Sequence, residues 1–176
     1  MQEIILENGF VIKRLSESDR AEVSVLCIRC EDYYQLHCGI LPAEKEVDEI
    51  FRDLPPGKDY DDKFVLGVYD SSNNLSGVLD IIRNYVVEGE WTIGLMLLEP
   101  AVRGSGLGKM IHNALKEWAK GLDANTFRIG VIEENMNGQA FWAAMEYKKV
   151  KDVSMTFEEK THTVNVMTLT FSDNIL

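Results

Sequence analysis

The sequence predicts an α/β (α+β) fold: a central mixed, mostly antiparallel β-sheet of about seven strands, flanked by about four helices. Three observations predict it. Short apolar or alternating runs recur between clusters of Gly, Pro, Asn and Asp, the pattern of strands and turns. Other, longer stretches repeat their apolar residues at helical spacing. Most successive strands are joined by tight turns, which dictate antiparallel pairing, but residues 91–98 and 126–132 are separated by a whole helix, which permits a parallel one. The 176 residues, 45% hydrophobic and 27% charged, suit one domain over residues 1–176 with a substantial core.

Taken in order, residues 10–15 alternate as a first strand, and Ser16-Glu17-Ser18-Asp19 offers caps for a helix over residues 19–37. Val23, Leu26, Cys27, Cys30 and Tyr34 form its buried stripe. Gly39 ends this helix and Pro42 opens another, whose Val47, Ile50, Phe51 and Leu54 face the core before Pro55-Pro56-Gly57 stops it. Residues 63–69 and 75–87 read as a hairpin about Asp70-Ser71-Ser72-Asn73-Asn74, and with residues 91–98 they make an antiparallel meander. A helix follows with Leu107, Met110, Ile111, Ala114, Leu115, Trp118 and Ala119 on one face; the side chains of Leu107, Met110 and Trp118 read as core. The strand at residues 126–132, a short helix after Asn135, and the runs 148–157 and 162–171, a hairpin about Glu158-Glu159-Lys160-Thr161, complete the chain.

Composition excludes several functions. A net charge of -11 opposes unspecific binding to nucleic acid or to an anionic membrane, both of which need Lys and Arg facing phosphates, and favours a cationic partner. No apolar run approaches the roughly 20 residues that cross a bilayer. The first residues carry no signal-peptide pattern, so the expected location is cytoplasmic. Cys27-x-x-Cys30 with His37-Cys38 can be drawn as a metal site, yet the pair lies in an apolar helical stripe and no second ligand pair follows. Reduced, packed thiols and no metal are expected.

The informative stretch is 91–120. An apolar strand feeds Pro100 and then Arg103-Gly104-Ser105-Gly106-Leu107-Gly108-Lys109, where a helix begins. Free N–H groups and the helix dipole make such a turn an anion site. The glycine spacing fails a nucleoside-triphosphate loop, and Met110 stands where that loop needs a hydroxyl. G-x-G-x-G also departs from the dinucleotide fingerprint, although Glu133 ends the next strand where a ribose acid would sit.

Arg103-x-x-Gly106-x-Gly108 after an apolar strand and a Pro, followed by Asn135 and a helix carrying Phe141-Trp142, resembles the GNAT superfamily of acyl-CoA-dependent N-acetyltransferases. The resemblance covers roughly residues 63–158. It implies a sheet splayed at the cofactor cleft and acetyl-CoA (coenzyme A) as cofactor. The pyrophosphate would lie on Arg103, Gly104, Ser105, Gly106, Leu107, Gly108 and Lys109. The pantetheine arm would bond to the backbone of Leu97 and Leu98 and be steadied by Asn135. Asn135 is equally suited to cap a helix. Trp142 occupies the position where the family often has an acidic Tyr; it would wall the thioester pocket, since indole supplies no proton. Glu146-Tyr147 replaces the family's closing Gly-Phe.

Direct transfer to an amine needs a base or a water relay. Asp80, in an otherwise apolar run, and Glu90, with Glu88 in the turn before the next strand, are the candidates; Arg83 could instead pair with Asp80. The resemblance makes Tyr33, Tyr34, His37 and the loop 55–62 candidate acceptor contacts, against the alternative that the aromatics only pack. The expected function is acetyl transfer from acetyl-CoA to a primary amine of a small-molecule or peptide acceptor, the chain acting alone or as a homodimer. The alternative is a coenzyme-A-binding sensor domain with little catalysis.

Overall fold

The structure is a computed structural model describing residues 2–171. Its strands are β1 (Ile4–Ile5), β2 (Val11–Arg14), β3 (Lys63–Tyr69), β4 (Leu75–Ile82), β5 (Glu90–Leu98), β6 (Thr126–Ile132), β7 (Lys148–Phe157) and β8 (Lys160–Thr170). Its helices are α1 (Arg20–Arg29), α2 (Glu31–His37), α3 (Glu44–Arg52), α4 (Leu107–Lys120) and α5 (Met136–Ala144). The described strands form one 8-stranded sheet in the order β1-β2-β3-β4-β5-β6-β8-β7. All pairs are antiparallel except β5 with β6, as the crossover helix requires.

The expected mixed sheet is found with one strand added, and two expectations are corrected. An eighth strand, β1, pairs with β2; two residues are too few to show a period. The helix expected over residues 19–37 is broken at Cys30, whose backbone leaves the helical region at φ -103, ψ 28, so the stretch folds as two helices, α1 and α2. The strand expected over residues 75–87 ends at Ile82, because Asn84 and Val86 take positive φ (51 and 83) in the turn to β5.

The sheet is covered on both faces. Every residue of β3 is buried, which explains its unbroken apolar run. Phe64, Leu66 and Val68 face α4 and α5, whereas Val65 and Tyr69 face α1 to α3. On α4, Leu107, Ile111, Leu115 and Ala119 are at most 1% exposed, each large side chain contributing about 2 kcal/mol by burial.

Candidate active site

The site begins where two strands part. β5 and β6 pair only from Glu90–Thr126 to Ile93–Ile129; beyond that, Gly94 to Leu98 has no strand on this side among the described residues. A bulge against β4 marks the same point, since Asp80 pairs with Leu95 but Ile81 pairs with Ile93. The extra residue, Gly94, inverts the side-chain alternation of β5. Trp91 and Ile93 pack under α4 and α5, whereas Leu95 and Leu97 pack toward α1 to α3. Glu99 N–H bonds to the Ser76 carbonyl on β4 at 3.0 Å. Alternation therefore turns the Leu97 backbone to β4 and those of Met96 and Leu98 into the gap. Leu97 was expected to face the gap; Met96 takes that place.

After β5, Pro100–Val102 makes one short helical turn and the loop follows. Gly104 and Gly106 have φ of 74 and 88, and a Cβ on either would meet nothing within 4 Å, so open space lies over both. Gly106 caps α4, and the first N–H groups of the helix face that space. Ser105 Oγ donates to the Val102 carbonyl at 2.7 Å, and Lys109 is exposed. Gly108 serves packing instead, because its Cβ would stand 3.1 Å from the Phe141 ring; its absence lets α5 approach α4. Arg103 braces the loop instead of reaching over it. Its Nε donates to the Leu98 carbonyl at 2.7 Å, and its guanidinium forks onto the Asp32 carboxylate of α2, which the paired charge holds below the usual carboxylate range.

On α5, the Asn135 side chain accepts from Gly138 N–H at 2.9 Å, the capping role. Trp142 is corrected from cleft wall to core. It is 9% exposed and packs edge-on against His112, Phe141 and Tyr147. At the helix exit Glu146 takes φ 65, the conformation a glycine adopts freely, which is why Gly-Phe suits this corner.

Below the parting strands lies a cavity of about 320 Å³, lined by Tyr33, Tyr34, His37, Asp80, Gly94, Asn135 and others from both walls. Asp80 does not pair with Arg83, which bonds to Asp62 at 2.9 Å. Its partner is Lys63, Nζ to Oδ1 at 2.7 Å. Burial, only partly offset by that ammonium, pushes the Asp80 carboxyl up to about 6. Its Oδ2 faces Gly94, where a Cβ would stand 3.6 Å away. Glu90, expected in a solvated turn, begins β5, is 7% exposed and is held by Arg128 at 2.6 and 3.1 Å. It lies at the paired end of β5, away from the gap, and does not line the cavity. Glu88 is exposed in the turn.

Tyr33 stacks on His37, and His37 meets Phe157 at a tilt with ring centres 4.0 Å apart, so these aromatics both pack and line the cavity. Burial holds the His37 imidazole down to about 4, which keeps it neutral. Tyr34 OH donates to Cys27 Sγ at 3.2 Å. The loop 55–62 lies away from this cavity, and Tyr60 lines a second one beside Arg14 and Arg52. Sequence reasoning missed the acidic wall of α3, Glu46 and Glu49 with Asp53 just beyond, and Thr92, whose buried Oγ1 has no partner among the described residues. The helical spacing of the three acids was a signal. Phe157 and Met155 come from the distant β7 and gave none.

Residues 29–147 match the model of the acetyltransferase (GNAT) family. Among solved structures, an acetyltransferase from Thermus thermophilus is 24% identical, with 96% of this chain and 100% of that chain covered at a TM-score of 0.70. The ribosomal L7/L12 α-N-protein acetyltransferase RimL with coenzyme A gives 14% identity, 97% and 98% coverage and 0.78. Spermidine N-acetyltransferase from Vibrio cholerae with CoA and spermine gives 14%, 92% and 95%, and 0.70. At these identities the likeness is one of fold. No curated protein matches significantly.

Proposed function

The chain belongs to the GNAT family of acetyltransferases, and from that premise we propose that it transfers an acetyl group from acetyl-CoA directly to a primary amine of a cationic small-molecule or peptide acceptor. The observation that carries this is the parting of β5 and β6 after Ile93 and Ile129, which joins the open loop at the N-terminus of α4 to the acidic cavity below. The residues fit the cofactor. Open space over Gly104 and Gly106 admits a pyrophosphate to the N–H groups of α4, with Lys109 as a nearby cation. Met96 and Leu98 offer unpaired backbone to a pantetheine arm, as an edge strand does to an added one. The Leu98 carbonyl is already bonded to Arg103, so Met96 is the freer partner.

Bound there, acetyl-CoA supplies the activated acyl thioester. The Met96 N–H, facing the gap, would stabilise the charge that develops on the thioester oxygen. Asp80 Oδ2 takes the proton from the acceptor ammonium, directly or through one water; a carboxyl near 6 is ionised at neutral pH yet more basic than an ordinary one. Trp142 supplies no acid, so the departing thiolate would take its proton from water. Glu46, Glu49 and Asp53 draw a positively charged acceptor into the cavity, and Thr92 Oγ1 can bond to it. Spermidine and protein α-amines, the acceptors named for two structural neighbours, are both of this kind.

Thermal unfolding with acetyl-CoA, coenzyme A, NAD and ATP, then thiol release from acetyl-CoA with cationic and neutral amines, tests the reading. Stabilisation of several degrees by the coenzyme A compounds alone, with release only for cationic amines, is expected. Stabilisation without release for any amine would favour the sensor reading.

A further inference from the structure

We infer that Lys63 is a positioning residue for the transfer: its ammonium fixes Asp80 with Oδ2 over Gly94 and ties that carboxylate to the end of the helix that walls the acceptor cavity. This rests on the reading of Asp80 as the base. Lys63 opens β3 and is 2% exposed. Its Nζ donates to Asp80 Oδ1 at 2.7 Å and to the Asp53 carbonyl at 2.9 Å. Asp53 is the C-cap of α3, so its carbonyl belongs to a helix end that favours a cation. One ammonium thus joins the bulged centre of the sheet to the acidic wall.

A buried ion pair is weak evidence for stability, because an apolar pair of equal volume often serves as well. What distinguishes this pair is its direction. Oδ1 is held from behind by Lys63, while Oδ2 points to the cavity across a glycine. The charged and titratable groups around Asp80 are Lys63 from β3, Glu46, Glu49 and Asp53 from α3 and its end, Tyr33, Tyr34 and His37 from α2, and Cys38 just after it; β5 brings only Thr92, Ile93, Gly94 and Leu95. Among the described residues the cavity lining has no Lys or Arg. Lys63 is therefore the cation that opposes burial, and the Asp53 charge, in holding a proton on Asp80.

The test reads the Asp80 carboxyl directly, by ¹³C NMR titration of the full chain, and then the pH profile of acetyl transfer to spermidine as probe amine. Lys63→Met should move the Asp80 midpoint up by about one to three pH units and move the acid limb of kcat/KM with it, leaving KM for acetyl-CoA unchanged. Lys63→Gln, whose amide keeps donors but no charge, should move both in the same direction and serves if Lys63→Met does not fold. Asp80→Asn should lower kcat by about 100-fold or more, and adding Lys63→Met to it should cost nothing further. An Asp80 midpoint unmoved in the Lys63 variants overturns the inference, as does an equal loss from Lys63→Met in the Asp80→Asn protein. An Asp80→Asn protein as active as the parent overturns the base reading itself, whatever the titration shows.

Discussion

At Gly106 the backbone takes φ of 88 and the space over Cα is open. A side chain there meets no protein atom but stands where a pyrophosphate would lie. Gly106→Val should therefore abolish acetyl-CoA binding in calorimetric titration while costing about 1–2 kcal/mol of stability from the left-handed backbone. Parent-like affinity would refute the loop assignment. Glu146 poses the converse case. It holds φ 65 at the exit of α5, where Tyr147 N–H returns to the Trp142 carbonyl at 3.1 Å. Glu146→Gly should raise the urea midpoint by the equivalent of about 1 kcal/mol, and a lowered midpoint would show that the Glu side chain stabilises the corner in some other way.

Among the elements, α4 and α5 are joined by a polar contact in an apolar core. His112 of α4, 2% exposed, meets Tyr147 OH through Nε2 at 3.1 Å, and its buried Nδ1 has no partner among the described residues. Burial holds its imidazole down to about 4, against about 6.5 in the unfolded chain. The neutral ring thus contributes stability fully above pH 6.5, and this is lost as pH falls toward 4 because the unfolded chain takes up the proton first. Unfolding measured across that window should fall by about 3 kcal/mol more in the parent than in His112→Leu/Tyr147→Phe, equal slopes being the contrary result. The pairing of α2 with the loop is more exposed. Arg103 joins Asp32, the Leu98 carbonyl and the loop, so Arg103→Ala should loosen α2 and weaken acetyl-CoA binding only several-fold, less than Gly106→Val; an equal loss would make Arg103 a direct phosphate ligand.

Across the whole molecule, the proposed function asks a chain of net charge -11 to hold an anionic cofactor and attract a cationic acceptor at once. The fold keeps these opposing demands apart. On that reading the cofactor side would rely on backbone donors at α4, and the acceptor side on the carboxylates that α3 and β4 bring to the cavity. By itself the sequence determined whatever depends on local periodicity and turn chemistry. The bounds of β3, β6, α4 and β7, the antiparallel meander, the parallel crossover pair and the glycine loop were all legible, because each follows from residues close in the chain. The same locality hid the break at Cys30 and the end of β4 at Ile82, where apolar residues continue although the backbone turns. Only the tertiary structure decided which side each group faces. A one-residue bulge inverted β5 and put Met96 in place of Leu97, packing drew Trp142 into the core, and Lys63, seventeen positions from Asp80, took the partnership for which Arg83 stands nearer in the chain. These outcomes rest on register and on contacts between distant segments, and a side chain's neighbours along the chain carry no record of either.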